Sequence, residues 1–271
     1  MVGEIGPQTD WTGVLRKVDL VVHLAARVQG MRGCRAGLLA DFRRVNVQGT
    51  IALGRAAAAA RVKRLVFLST VKIHGEASVQ PFRETDAARP SDVYALSKWE
   101  AEQALAQLAA QTELEYVILR PPLVYGPGVR ANFGRLMQAV ARGVPMPLAR
   151  ACNRRSLVYV GNLVDAIRVC LTHPAAANRG YLVADGEDLS TADLVRRLGT
   201  AMGVRARLWA VPIAWLQLAA AVCGRHATTD RLLGSLQVDS TALCRDTGWR
   251  PPFSVAEGLA RTVCALRSAP R

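Results

Sequence analysis

The 271-residue chain is expected to form an α/β fold: a doubly wound parallel sheet with a smaller C-terminal lobe. Three observations predict this. Through the first half, short apolar runs of strand length alternate with longer stretches of helical spacing, the order that builds parallel sheets. The runs lack in-out alternation, as strands covered by helices on both faces do. The composition, 51% apolar, 21% charged and 6% aromatic, is that of a globular protein and excludes disordered or fibrous architectures.

The elements follow in order. VDLVVHLAA, residues 18–26, reads as a buried strand. Residues 41–62 have helical spacing and include five consecutive alanines at 56–60, the residue with the highest helix propensity. RLVFLST, residues 64–70, is a second strand, and residues 90–108 contain a helix carrying Tyr94, Lys98 and Glu102. EYVILRPPLVY, residues 115–125, is a third strand, broken by Pro121 and Pro122. A helix over 132–142 ends near Gly143, a residue suited to a helix C-terminus. Beyond about Leu148 the pattern changes to short strands at 155–160 and 180–184 and a helix at 190–202 opened by Ser190 or Thr191, both good N-caps. Pro212 interrupts an apolar segment at 208–223, and a turn at 248–252 leads into a last helix at 254–267. The boundary is placed between 1–148 and 149–271, with the second part interleaved with the last strands of the sheet.

The net charge is +14, and 31 of the 35 basic residues are arginine. They are scattered, with no run of five or more, whereas a nucleic-acid binder concentrates its charge in a stripe or tail. A solvated basic surface is therefore expected, with no nucleic-acid partner; attraction to acidic small molecules or to an anionic membrane face is the other reading. The six cysteines form no CxxC pair and no zinc spacing, so no metal site is expected and the thiols fit a reduced compartment. No secretory pattern opens the sequence and no 18-residue apolar stretch occurs, so a cytoplasmic chain with no transmembrane span is expected. The segment at 208–223 is short for a span; burial in the lobe is the first reading, and a peripheral membrane patch the second.

Three places carry chemistry. Tyr94 and Lys98 stand at i and i+4, on one face of a helix. An ammonium beside a phenol favours the phenolate, so the Tyr94 pKa is expected to fall toward neutrality and suit it to acid–base work between an alcohol and a ketone; alone, YxxxK fits equally a surface helix. Ser69 and Thr70 end the second strand, and ligands of parallel sheets gather at the carboxyl ends of strands; alone, Thr70 reads as a strand-ending hydroxyl satisfying local backbone. Leu24, Ala25 and Ala26 follow His23 at the end of the first strand, where small residues let a flat ligand approach the backbone, and Asn46 could brace that region through its amide. His23 itself reads as a core histidine.

In order, HLAA, NVQGT, LST, YxxxK and RPPLVYGPG resemble the extended short-chain dehydrogenase/reductase family, also called the NAD-dependent epimerase/dehydratase family. The resemblance implies that Thr70, Tyr94 and Lys98 form the catalytic group. Tyr94 would exchange a proton with a sugar hydroxyl, Thr70 would orient that oxygen, and Lys98 would hold the nicotinamide ribose and tune Tyr94. Leu24, Ala25, Ala26, Asn46, Ser69, Pro121 and Leu123 would border the cofactor, NAD or NADP. It also implies a UDP-sugar substrate, with Asn132 near the UDP, Arg155 pairing the diphosphate through its planar fork and Arg231 as a second phosphate contact. On this basis residues 1–148 are the Rossmann-like dinucleotide part and 149–271 the substrate lobe; a homodimer is among the expectations.

Sugar dehydratases of the family carry Asp-Glu after the active-site threonine; here Val71 and Lys72 follow Thr70. LSTVKIHGE, NRRSLVYVGNLVDAI and GWRPP look most like bacterial 4-ketoreductases that act on UDP-4-keto-6-deoxy-N-acetylhexosamines in O-antigen synthesis. A 4-epimerase acting on a UDP- or polyprenyl-linked sugar uses the same trio; in the polyprenyl case residues 208–223 would face the membrane. The family begins with a strand and a G-x-x-G-x-x-G turn whose backbone meets the cofactor pyrophosphate. No such turn precedes HLAA, and residues 2–5 resemble a later strand of the family instead. The first βαβ unit is thus expected to be missing, the strand at 18–26 to be an apolar edge, and dinucleotide binding to be impaired. A cofactor-deficient remnant is accordingly a third reading.

Overall fold

The computed structural model describes residues 3–28, 35–212, 214–216 and 232–268. Its centre is a four-stranded parallel sheet in the order β1-β2-β3-β6, from β1 (Leu20–His23), β2 (Arg64–Leu68), β3 (Glu115–Arg120) and β6 (Arg179–Leu182). The register runs Val22 opposite Val66, Val66 opposite Val117, and Leu119 opposite Tyr181. A second parallel pair joins β4 (Leu123–Tyr125) to β5 (Leu157–Tyr159). The third predicted strand is therefore two strands in two sheets. Pro121 and Pro122 remove two successive backbone donors at the break.

Residues Gly3–Ile5 form no strand, which corrects the expectation for 2–5. Ile5 instead packs beside Gly49: a Cβ on that glycine would lie 2.9 Å from Ile5 Cγ2. Among the described residues β1 pairs with β2 alone, so it is an edge strand, as expected. Leu20 and Val22 on it are 37% and 38% exposed, an open edge of the kind that invites further pairing.

The first helical stretch is longer than predicted. α1 (Arg35–Phe42) continues through a wider π turn (Arg43–Gln48) into α2 (Gly49–Ala59). Phe42, Gln48 and Gly49 all keep helical dihedrals, so the three pieces are continuous. α2 packs on α3 (Val93–Ala109) at Gly54, where a Cβ would come 2.7 Å from Leu108 Cδ2. Leu53, Ala57, Leu65, Phe67, Ala101 and Leu105 bury one face of the sheet between these helices. α5 (Val160–Thr172) covers the other face through Leu163, Ala166 and Cys170. Covering helices on both faces explain why the strands read as unbroken apolar runs.

A second core joins α4 (Ala131–Ala141), α6 (Thr191–Met202) and α8 (Val255–Ser268) around Tyr125 and Tyr159, while α7 (Thr241–Thr247) packs Leu243 with Trp249 against β6. Gly143 closes α4 with φ +64°, and Ser190 caps α6 by accepting from the Asp193 amide, both as predicted. Asp185, 9% exposed, ties this core to the sheet. Its carboxylate accepts from the Tyr125 hydroxyl at 2.9 Å, the Tyr159 amide at 2.8 Å and Asn162 Nδ2 at 2.7 Å.

Candidate active site

Parallel strands bring their carboxyl ends to one edge. β1 ends at His23 and runs into Leu24–Ala26, β2 into Ser69 and Thr70, and β3 into Pro121. Two backbone bonds fix the last two: Ser69 N donates to Leu119 O at 2.8 Å, and Val71 N to Pro121 O at 3.0 Å. Thr70 caps a short 3-10 turn, Val71–Ile73, its Oγ1 accepting from Lys72 N. That turn packs against α3, the helix carrying Tyr94 and Lys98.

Lys72 ties the two together. Its Nζ reaches Asp92 Oδ2 at 3.0 Å and Glu76 Oε1 at 2.6 Å. The other Asp92 oxygen accepts from Ala95 N at 2.7 Å and caps α3. The turn after Thr70 is thereby clipped to the start of the helix two residues before Tyr94. The sequence reading passed over this link, although the spacing Lys72-x-x-x-Glu76 was there to be read.

Lys98 is 1% exposed, with its ammonium 4.0 Å from the centre of the Phe67 ring. Burial drives its pKa down to about 7, against the raising influence of Glu102. Tyr94 departs from expectation: its pKa is pushed up to about 12, by burial first and then by the Asp92 carboxylate. The predicted fall toward neutrality is therefore corrected. Lys98 directs its head at an aromatic face and holds its proton weakly, so it adds little positive field at the phenol. Tyr94 rests as the neutral phenol, able to donate a proton. Its ring meets Phe42 edge-on at 6.5 Å.

Behind Lys98 lies a buried ion pair that the sequence reading missed. Glu102 is fully buried, and its carboxylate takes Arg120 Nε at 3.2 Å and Nη2 at 2.7 Å. A polar i+4 position after a buried lysine was the available signal.

Asn46 lies in the π turn, 1% exposed. Its Oδ1 accepts from Arg27 N at 2.7 Å; its Nδ2 donates to Arg27 O at 3.0 Å and to Ser97 Oγ at 2.9 Å. Ser97 in turn donates to Tyr94 O at 2.8 Å. One amide thus clamps the loop after β1 to the helix of Tyr94, the brace that was expected. The wider turn sits where such turns are often found, at a functional site.

His23 is a core residue, as read. Thr50 Oγ1 gives its proton to Asn46 O at 2.7 Å, so His23 Nε2 donates to Thr50 Oγ1 at 3.0 Å. Burial first, then Lys98, lowers the His23 pKa to about 4.

Leu24 and Ala25 are exposed and Ala26 half-buried at the mouth, with Leu24 at 54%. Ser69 Oγ is buried without a hydrogen-bond partner. Pro121 is buried, and Leu123 is 38% exposed. An unsatisfied hydroxyl, a buried ammonium and small open residues along one sheet edge fit the ribose and nicotinamide end of a dinucleotide. At the pyrophosphate end, no glycine-rich turn precedes β1 in the sequence.

The substrate-side residues are spread out. Asn132 is exposed in the first turn of α4. Arg155 is half-buried; its Nη1 donates to Gly234 O at 2.9 Å, and burial lowers its pKa against the Glu76 carboxylate. Arg231 lies outside the described residues. Among the described residues no group of three or more His, Cys, Asp or Glu could hold a metal, and no helix is long and apolar enough to cross a membrane.

Residues 3–184 match the NAD dependent epimerase/dehydratase family. The chain belongs to that family. A UDP-glucose 4-epimerase of Vibrio cholerae is 42% identical over 271 residues, covering 99% of this chain and 83% of the relative. The N-acetyl-alpha-D-glucosaminyl-diphospho-ditrans,octacis-undecaprenol 4-epimerase of Escherichia coli O157:H7 is 26% identical, covering 97% and 82%. Among solved structures, MoeE5 in complex with UDP-glucose and NAD superposes with a TM-score of 0.76 at 24% identity, covering 98% of this chain and 84% of that one. UDP-glucuronic acid 4-epimerase from Bacillus cereus in complex with NAD gives 0.77 at 19%, covering 96% and 78%. At these identities the structures establish the fold, a Rossmann-type α/β architecture.

Proposed function

We propose that this family member epimerises the C4 carbon of a UDP-linked hexose, using NAD(P). The observation that carries the chemistry is the clip that brings the Thr70 turn to the start of the helix bearing Tyr94 and Lys98. The 42% identical relative named a UDP-glucose 4-epimerase favours epimerisation over the net 4-keto reduction expected from sequence strings. Dehydration is disfavoured by the residues after Thr70: Val71 is 2% exposed and aliphatic, and Lys72 is held by two carboxylates.

In this reading Tyr94 accepts and returns the proton of the sugar C4 hydroxyl. Its resting state as a neutral phenol suits the protonating half of the cycle; the cationic ring of an oxidised nicotinamide held near it would favour the phenolate for the other half. Thr70 orients the same oxygen, and Lys98 hydrogen-bonds the ribose. Leu24, Ala25, Ala26, Ser69, Pro121 and Leu123 would border the dinucleotide, with Asn46 fixing the loop beneath it. A bound nicotinamide supplies the hydride acceptor and donor. Arg155, with Asn132 and Arg231, would hold the UDP group.

Calorimetric titration with NADH and NADPH tests cofactor use; binding of either is expected, and its absence in folded protein would count against a dinucleotide at this edge. Incubation with UDP-glucose and saturating NAD tests the reaction. Interconversion to the galacto sugar without net change in nicotinamide absorbance is expected. Stoichiometric consumption of reduced cofactor on a UDP-4-keto sugar would favour the reductase, and absence of both activities in folded protein would favour the remnant.

A further inference from the structure

The arginines are less scattered than the sequence suggested. Between Glu115 and Asp165 the chain has no acidic residue and seven arginines; between Asp193 and Asp230 it has none and five. The fold brings these two stretches together. Met146 N donates to Arg207 O at 2.8 Å, Trp209 N to Met146 O at 2.9 Å and Ala149 N to Trp209 O at 3.0 Å, so residues 207–209 run beside 146–149. Side chains alternate along such a ladder. Met146 and Leu148 point into the second core, with Leu208 packed against it, while Arg207, Trp209, Pro145 and Pro147 face solvent.

The outward face is apolar and basic together. Trp209 is 65% exposed and Trp215, six residues on, is 66% exposed. Val144 and Val204, in the same two stretches, are 43% and 38% exposed. Arg142, Arg150, Arg205 and Arg207 of the same two stretches are exposed as well. The sequence from 208 to 223 holds no charged side chain. Two solvent-facing indoles are costly for a freely soluble surface, and exposed apolar patches rimmed by polar groups mark interaction sites. An acidic protein partner or a nucleic acid would be met by interleaved polar donors; here the centre is aliphatic and aromatic with guanidinium groups at its rim. That distribution matches the bilayer interface, where indoles sit at headgroup depth and arginines pair with anionic headgroups.

We propose that this face, built by residues 142–150, 204–212 and 214–216, docks the protein on a bilayer containing anionic lipid, with Trp209 and Trp215 inserted at headgroup depth and Arg205 and Arg207 against the phosphates. It goes beyond the sugar reaction and stands whether or not that reaction is found.

The test is co-sedimentation with vesicles of equimolar phosphatidylglycerol and phosphatidylcholine against phosphatidylcholine alone. Binding to the anionic vesicles is expected to be at least roughly tenfold stronger, and to weaken about tenfold in both the W209S/W215S and R205Q/R207Q variants. Acyl-brominated lipid should quench the tryptophan emission of the wild type. All four side chains are exposed, so unchanged circular dichroism is expected and confirms folding. Vesicle binding that survives W209S/W215S, or that shows no bromolipid quenching, would mean that diffuse charge alone attracts the protein and would overturn the proposal. Failure to sediment with anionic vesicles would overturn it as well, as would preferential capture of duplex DNA over vesicles at equal salt.

Discussion

Glu102→Gln changes one oxygen for a nitrogen in a buried charge pair between α3 and β3. The wild-type carboxylate is 0% exposed and receives three contacts from Arg120, two at 3.2 Å and one at 2.7 Å. The amide keeps the volume but leaves the Arg120 guanidinium, 9% exposed, without its counter-charge. Breaking a buried pair from one side costs about 3–5 kcal/mol, because the remaining ion keeps its desolvation penalty. The Glu84 backbone carbonyl, which accepts from Arg120 Nη1 at 3.4 Å, offsets part of this, so the lower end is expected. For a chain of this size that is a melting-temperature drop of roughly 6–12 °C. A second effect reaches the site. Glu102 is the group that raises the Lys98 pKa, so in the variant Lys98 should titrate below its wild-type value of about 7. Thermal unfolding of wild type, E102Q and the paired apolar variant E102L/R120M gives the answer. The paired variant should melt closer to wild type, since removing both charges removes both penalties. An E102Q protein melting within about 2 °C of wild type would refute the assignment of a buried, coupled pair.

Asn46→Ala leaves Arg27 N, Arg27 O and Ser97 Oγ without the amide that joins them. A loss of about 2–4 kcal/mol is expected, with faster amide exchange at residues 24–28; protection there equal to wild type would count against the brace. His23 is held neutral in the fold with a pKa of about 4, against 6.5 when free. The unfolded state therefore binds more protons between these values, and stability is complete above pH 6.5 and falls as pH drops toward 4. The contribution is up to about 3 kcal/mol, and urea midpoints of His23→Gln should lose that acid slope. Lys98 works in the same sense at higher pH: its folded pKa of about 7 lies below 10.5, so stability rises from pH 7 toward 10.5 and Lys98→Met should flatten the rise.

Much of the fold was legible because burial on both faces leaves a plain mark. RLVFL and YVILR have no polar alternation, and they became the central strands β2 and β3. The break at Pro121-Pro122 was visible, but not that it hands the chain to a second sheet, since that depends on pairing with β5 far along the chain. Of the strand expected at 2–5, residues 3–5 form none: Ile5 has its apolar contact at Gly49 and not with a sheet neighbour. At the candidate site, helical spacing singled out Tyr94 and Lys98, and the end of a parallel strand singled out Thr70. The direction of the Tyr94 shift did not follow from spacing. It comes from burial first and then from the Asp92 carboxylate, while the Lys98 head is turned to Phe67, which belongs to another element. The Lys72–Asp92 clip and the Glu102–Arg120 pair likewise join separate segments.

The central claim is that the Tyr94 hydroxyl moves the proton of the sugar C4 hydroxyl. It is tested most directly by proton NMR of UDP-glucose incubated with saturating NAD and either wild type or Tyr94→Phe. The account predicts galacto signals with the wild type, a loss of at least about 100-fold in rate with the variant, and near-equal UDP-glucose affinity for both by calorimetry. A variant that epimerises at the wild-type rate would contradict it.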